Sequence, residues 1–244
     1  MNGPMNFWTR AEPELTELPD TGFGPVTVRR NPRARRITMR VSQLDGRVTI
    51  TAPKRTPSAE LQAFLADHQE WLDRAVGRVL PQIPVTGGAE IMLRGTPCQV
   101  IHDPSRRLGA RQEGDDVLTV GGRPDQVGTR IAAFLKEAAR AELARQVPEL
   151  AHDIQRRAGK LTLRDTRSRW GSCTTNGDLM FSWRLIMAPP EVLRYVAAHE
   201  VAHLRHMDHS AAFWATVEEL MPDYKAPRKW LKDQGRRLHR YVFQ

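Results

Sequence analysis

His199-Glu200-Val201-Ala202-His203-Leu204-Arg205-His206-Met207-Asp208-His209 is the stretch from which the rest of the chain is read, because it contains the pattern HExxH. On an α-helix, residues four apart stand about 40° apart around the axis and roughly 6 Å along it. The imidazoles of His199 and His203 can therefore converge on one ion from the same face. Glu200 faces the edge of that site. It is a poor third ligand but well placed to take a proton from a metal-bound water, the division of labour that HExxH carries in zinc hydrolases. Tyr195, Val196, Ala198 and Ala202 make the surrounding helix apolar, and charged groups in such a helix are costly unless paired or metal-bound.

A tetrahedral catalytic zinc takes three protein ligands and leaves a fourth position open. His206 lies too far along a straight helix, about 10 Å from His199. The third ligand must come from chain that has turned back, and His209 fits. Met207-Asp208 can end the helix and Ser210 can N-cap the next one. The spacing HExxHxxxxxH matches a metzincin pattern, with His206 where that pattern has Gly. Histidine tolerates a left-handed turn better than most residues. Glu218 or Glu219 is the runner-up ligand. Three imidazoles favour one zinc ion, although cobalt, nickel or manganese suit the same donors.

The chain has 244 residues and a formal net charge of +9. The excess of arginine favours acidic partners, among them nucleotides and nucleic acid. No run approaches the roughly 18 apolar residues of a membrane span. Residues 1–21 are polar and Pro-containing and read as a flexible leader without the pattern of a signal peptide. Cys98 and Cys173 are too few for a disulfide framework, which points to a reducing cytoplasm.

Residues 22–122 read as a β-rich region with one helix. Val26 and Val28, then Ile37, Met39 and Val41, then Val48 and Ile50 alternate at period two. Asp45-Gly46 is a turn signal. The arginines at 29, 30, 33, 35 and 36 read as a charged sheet edge that blocks aggregation, or else as an anion-binding edge. Leu61, Phe64, Leu65, Leu72, Val76 and Val79 mark one helix from Thr56-Pro57, with His68 on its apolar stripe as a core histidine. Strands are expected at 91–93, 98–101 and 117–120, with an exposed loop over 103–116. A helix from Pro124 is expected to break or kink at Pro148, and a further helical piece to stop at Gly159.

Residues 123–244 read as the metal-dependent hydrolase domain. Asn176-Gly177 is a two-residue hairpin signal. It pairs Arg169–Cys173 with Leu179–Trp183 and leads through Pro189-Pro190 into the metal helix. A free strand edge beside the ion can hold an extended peptide by main-chain hydrogen bonds, and Gly171 would let another backbone approach. Arg169 or Arg167 can hold a carboxylate or phosphate. Trp170 and Trp183 read as core. Phe213, Trp214, Val217, Leu220 and Met221 mark another amphipathic helix, and a last one spans about 227–241 with a basic outer face. Tyr195 and Tyr224 are both candidates to donate to an oxyanion, and nothing in the sequence selects either.

Arg169-Trp170-Gly171-Ser172-Cys173, followed by Trp183-Arg184-Leu185-Ile186, Ala188-Pro189, Tyr195-Val196, HEVAHL over 199–204, His209-Ser210 and Phe213-Trp214, resembles the YgjP-like (DUF45) metal-dependent hydrolase family. The similarity runs from about Val26 to Gly235, and the family looks distantly related to SprT-type and WSS1-type proteases, which act on DNA-bound proteins. The resemblance implies an α+β fold with a zincin-like domain, zinc on His199, His203 and His209, and Glu200 as general base. Arg169, Gly171, Ser172 and Ser182 are the candidate substrate-binding positions, with Ser182 standing where the family commonly has Asn. The expected activity is a zinc metallopeptidase acting on peptide or protein. The alternatives are a nucleotide phosphohydrolase of the NTP pyrophosphatase type, with Arg33, Arg36, Arg167 or Arg169 on phosphate, and a nucleic-acid-associated protease.

Overall fold

The computed structural model describes residues 15–18, 26–42, 45–107 and 109–244. It has a mixed α+β architecture, and contacts divide the chain into Met1–Pro81 and Gln82–Gln244. The sequence reading placed that boundary at 122/123. The sheet over residues 90–120 instead shares its core with the C-terminal elements, because Ile91, Leu93, Val100 and Leu118 pack with Ile131 and Leu135.

The first unit comprises β1 (Leu15–Leu18), β2 (Val26–Arg30), β3 (Thr38–Val41), β4 (Val48–Ala52), α1 (Ser58–Asp67) and α2 (Gln69–Val76). Its sheet runs β1-β2-β4-β3, with β2 parallel to β4. Four residues of the expected leader thus form a strand paired with β2; the rest of that leader lies outside the described residues. Val26, Val28, Val48 and Ile50 face Leu61, Leu65 and Leu72 in one core. The helix expected to run unbroken past residue 67 breaks at His68, which leaves helical geometry at φ −110° and ψ 16°. His68 is exposed rather than core; its ring bonds the Phe64 carbonyl at 2.8 Å and stacks on the Phe64 ring.

The second unit comprises β5 (Ile83–Pro84), β6 (Glu90–Leu93), β7 (Thr96–His102), β8 (Ala110–Glu113), β9 (Val117–Val120), α3 (Val127–Asp153), β10 (Leu161–Arg164), β11 (Gly171–Cys173), β12 (Leu179–Ser182), α4 (Pro190–Ala202), α5 (Ala211–Leu220), α6 (Lys225–Gln234) and β13 (Tyr241–Val242). Part of the expected loop over 103–116 is strand β8, paired with β9. Helix α3 passes through Pro148 without ending there. Proline costs about 3 kcal/mol in a helix interior, and burial of Leu143, Val147, Leu150 and Ala151 on both sides of it offsets that cost. The helix stops before Gly159, at a left-handed Gln155 (φ 53°). There Gln155 and Arg156 donate back to the carbonyls of His152 and Ala151, a Schellman closure.

Two features hold the elements around α4 in place. The three-stranded sheet β10-β12-β11 leaves β11 at an edge against α4. The buried Arg184, in a 3-10 turn over Trp183–Met187, makes a two-pronged ion pair with Asp165 at 2.7 and 3.0 Å. It also donates to the carbonyls of Leu238 and Tyr241. The last expected helix is shorter than 227–241: α6 gives way to a 3-10 turn at Gly235, and β13 then pairs in parallel with β5.

Candidate metal centre

Pro190 at the first turn fixes the start of α4, and Val192, Leu193, Val196, Ala197 and Val201 bury its apolar face. The helix ends at Ala202 with His203 as its C-cap, earlier than the expected stop at Met207-Asp208. Leu204 and Arg205 donate three residues back, to Val201 and Ala202, which tightens the last turn. No left-handed histidine is needed: among the described residues only Arg94 and Gln155 are non-glycine residues with positive φ. Asp208 accepts from the Ser210 amide at 3.2 Å, and Ser210 caps α5 by accepting from Phe213.

This turn brings His209 back over the end of α4. One nitrogen from each of His199, His203 and His209 lies within 4.8 Å of the others. The Nε2 atoms of His199 and His209 stand 3.2 Å apart, a separation that accommodates one shared proton or a cation. The Nδ1 of His203 lies 2.9 Å from the His206 carbonyl. Donation there leaves Nε2 with its lone pair outward, the tautomer a ligand requires. Nδ1 of His199 is buried without a hydrogen-bond partner among the described residues. Burial, and then the neighbouring imidazoles, depress the His199 pKa to about 3, and burial also lowers that of His203. Both rings are therefore neutral at physiological pH, the form that binds metal. This donor set fits a single zinc-like ion. Of the runner-up ligands, neither joins the cluster, and Glu219 is paired with Arg205 at 2.8 Å.

Glu200 is buried, 5% exposed. It lies directly under β11: a methyl placed on Gly171 would sit 2.5 Å from Glu200 Oε1 and 2.6 Å from its Cγ. The close approach that Gly171 permits is thus to the glutamate side chain. Burial raises the Glu200 pKa to about 7, and the charge of Arg169 opposes that shift. An acid with a raised folded-state value costs stability where it must ionise, so in metal-stripped protein stability falls as pH rises from 4.5 to about 7. Glu200→Gln removes that cost. The metal-stripped variant is expected to be more stable than the native chain by about 3 kcal/mol at pH 8, and equal to it below pH 4.5, in urea melts with chelator present.

Of the candidate substrate positions, Arg169 is exposed just before β11 and Ser172 is half-buried within it. Ser182 is corrected by its burial: it is fully enclosed and its hydroxyl has no partner among the described residues, so it does not face a substrate. The hairpin turn also differs from the expected two-residue form. Thr174 and Asp178 close it, Gly177 alone has positive φ (79°), and Gly177 donates to Thr174, giving a three-residue loop. Cys173 is not among the gathered ligand atoms; burial and the charge of Glu200 push its thiol up to about 11, so it stays protonated.

The sequence reading missed the wall of the site. The Phe213 ring centre lies 4.9, 4.5 and 4.8 Å from those of His199, His203 and His209. Trp214, Tyr224 and Tyr195 stack in turn beside it, at 5.7 Å between Trp214 and Tyr224 and 6.4 Å between Tyr224 and Tyr195. Both candidate oxyanion tyrosines are buried in that stack. The one available signal was that Phe213 follows His209 by one helical turn.

The family described as YgjP-like, metallopeptidase domain, matches residues 35–234. No curated protein matches. Among solved structures, the chain is similar to the metallopeptidase zymogen abylysin of Pyrococcus abyssi, with 21% sequence identity, a TM-score of 0.30, and coverage of 42% of this chain and 94% of that one.

Proposed function

The chain belongs to the YgjP-like metallopeptidase family, and from that premise we propose that it hydrolyses peptide bonds with one divalent cation, zinc by preference, held by His199, His203 and His209. The observation that carries this reading is the pairing of a three-imidazole cluster with a buried carboxylate, Glu200, whose place under the edge strand requires Gly171. A cation in that cluster supplies Lewis acidity to the scissile carbonyl and makes an attacking water more acidic. Glu200 takes the proton of that water on a carboxylate oxygen and delivers it to the leaving amine. The outer edge of β11 receives the substrate as an added strand, with Ser172 beside it and Arg169 at its entrance.

The nucleotide and nucleic-acid readings have only the charge excess behind them. No described helix is long and apolar enough to cross a membrane.

The test is metal analysis of the purified protein beside cleavage of a mixed peptide library with and without chelator. One ion per chain and chelator-sensitive cleavage are expected; a loaded protein that cuts no peptide refutes the reading. The ligand assignment has its own check. His209→Ala is expected to weaken zinc binding by about 10-fold or more with the fold retained, since His209 is exposed. Glu219→Gln should bind the ion as before. Unaltered affinity in the His209 variant would remove it from the ligand set.

A further inference from the structure

Arg228, on α6, holds its guanidinium 4.2 Å from the centre of the Trp214 ring. That ring is itself part of the site wall, 5.8 Å from His199 and 6.1 Å from His209. Arg228 is exposed, and among the described residues no carboxylate or carbonyl takes its side-chain protons. Lys229, next to it on α6, differs in this respect and is bound to Asp233. A guanidinium stacked on an indole keeps its N–H fork free in the ring plane, pre-oriented and only weakly hydrated.

The acids of the site do not answer this charge. Glu200 is buried against Gly171, and Asp208 is engaged by Ser210. The Arg228 charge is near enough to weigh on His199 and on Tyr195, while that of Arg169 reaches Glu200 from the β11 side. The rim of the cluster therefore carries fixed positive charge with a planar, two-pronged donor held ready.

We propose that Arg228 is a specificity residue that receives a carboxylate of the peptide substrate, from an Asp or Glu side chain or from the chain terminus, so that the enzyme selects acidic peptides. This rests on the peptidase reading above. A carboxylate is the peptide group whose geometry matches the guanidinium fork, and a lysine or arginine at the same place would meet uncompensated like charge.

The test reads binding rather than turnover. Zinc-loaded Glu200→Gln protein is titrated with labelled peptides that differ at one position, Asp, Asn or Lys, with amidated C-termini, and with the Asn peptide bearing a free C-terminal carboxylate. The Asp peptide, the free-terminus peptide or both should bind about 5- to 10-fold more tightly than the amidated Asn peptide, and whichever gains identifies the source of the carboxylate. The advantage should shrink with added salt. Adding Arg228→Gln should erase it, and Arg228→Glu should turn the preference toward the Lys peptide. Because Arg228 is exposed, both variants are expected to keep the native melting temperature. Equal affinity for all four peptides, no binding of any, or discrimination that survives Arg228→Gln overturns the proposal. A protein that discriminates in this way but whose native form cuts nothing refutes the peptidase reading and leaves carboxylate recognition standing. Cleavage without discrimination does the reverse.

Discussion

Glu200→Gln is expected to lower peptide turnover on the order of 10³- to 10⁴-fold, at the upper end of what a positioned general base contributes, while zinc binding stays native. The substitution keeps size and burial, and it changes neither the histidine cluster nor the turn that brings His209 back. The amide cannot accept the proton of the attacking water at neutral pH, and in the proposed reading nothing else in the cluster can replace it: the histidines are then occupied as ligands and the Cys173 thiol stays protonated. The measurement is kcat/KM on the best library peptide together with metal content. If turnover stayed within 10-fold of native with metal content unchanged, proton transfer by Glu200 would be wrong.

Gly171→Ala is expected to cost on the order of 100-fold or more in kcat, with metal content again unchanged. The added methyl would come within 2.5 Å of a Glu200 oxygen, so one of the two must move by about 1 Å, a misplacement of the size that removes about 100-fold from a rate. Gly171 is hydrogen-bonded into the sheet opposite Phe181, whereas Glu200 is fixed by its helix only at the backbone, so its side chain, from Cγ outward, is what must shift. The positions of Ser172 and Arg169 serve as controls. Ser172→Ala adds no bulk under the edge and should lose far less. Equal losses at Gly171 and Ser172 would mean that the edge strand matters for substrate alone and not for the placement of Glu200. A Gly171→Ala enzyme of native rate would contradict the contact itself.

The histidine cluster was legible in the sequence because its parts are local. The spacing of His199 and His203 is set by one turn of helix, and Ser210 announces the next helix by its own capping chemistry. The hydrophobic alternation that located the strands of both units is local as well. What escaped the reading depends on distant chain. Gly171 is flexible in any sequence, and only the arrival of Glu200 from α4 shows why no side chain is tolerated there. Ser182 looked like a contact because it stands in a hairpin beside the site, but its strand lies at the centre of the three-stranded sheet, where burial decides. Pro148 was read by its local cost, and the packing of Val147 and Leu150 overrides it. Arg228 lay in a run of basic residues that no periodicity separates; the indole that singles it out comes from another helix.

All three proposed ligands fall within residues 199–209. A loop so short closes at small entropic cost, growing only as about (3/2)RT ln n, and on a timescale of roughly 10–100 ns. A nascent or partly unfolded chain can thus gather an ion long before β11 docks. The carboxylate under that strand, by contrast, is set only once the sheet is complete. Under the proposed reading, loading and competence are therefore separable stages: an immature molecule carries its cofactor without being able to cut its neighbours. A maturing pool should then show full metal occupancy before any hydrolytic activity emerges.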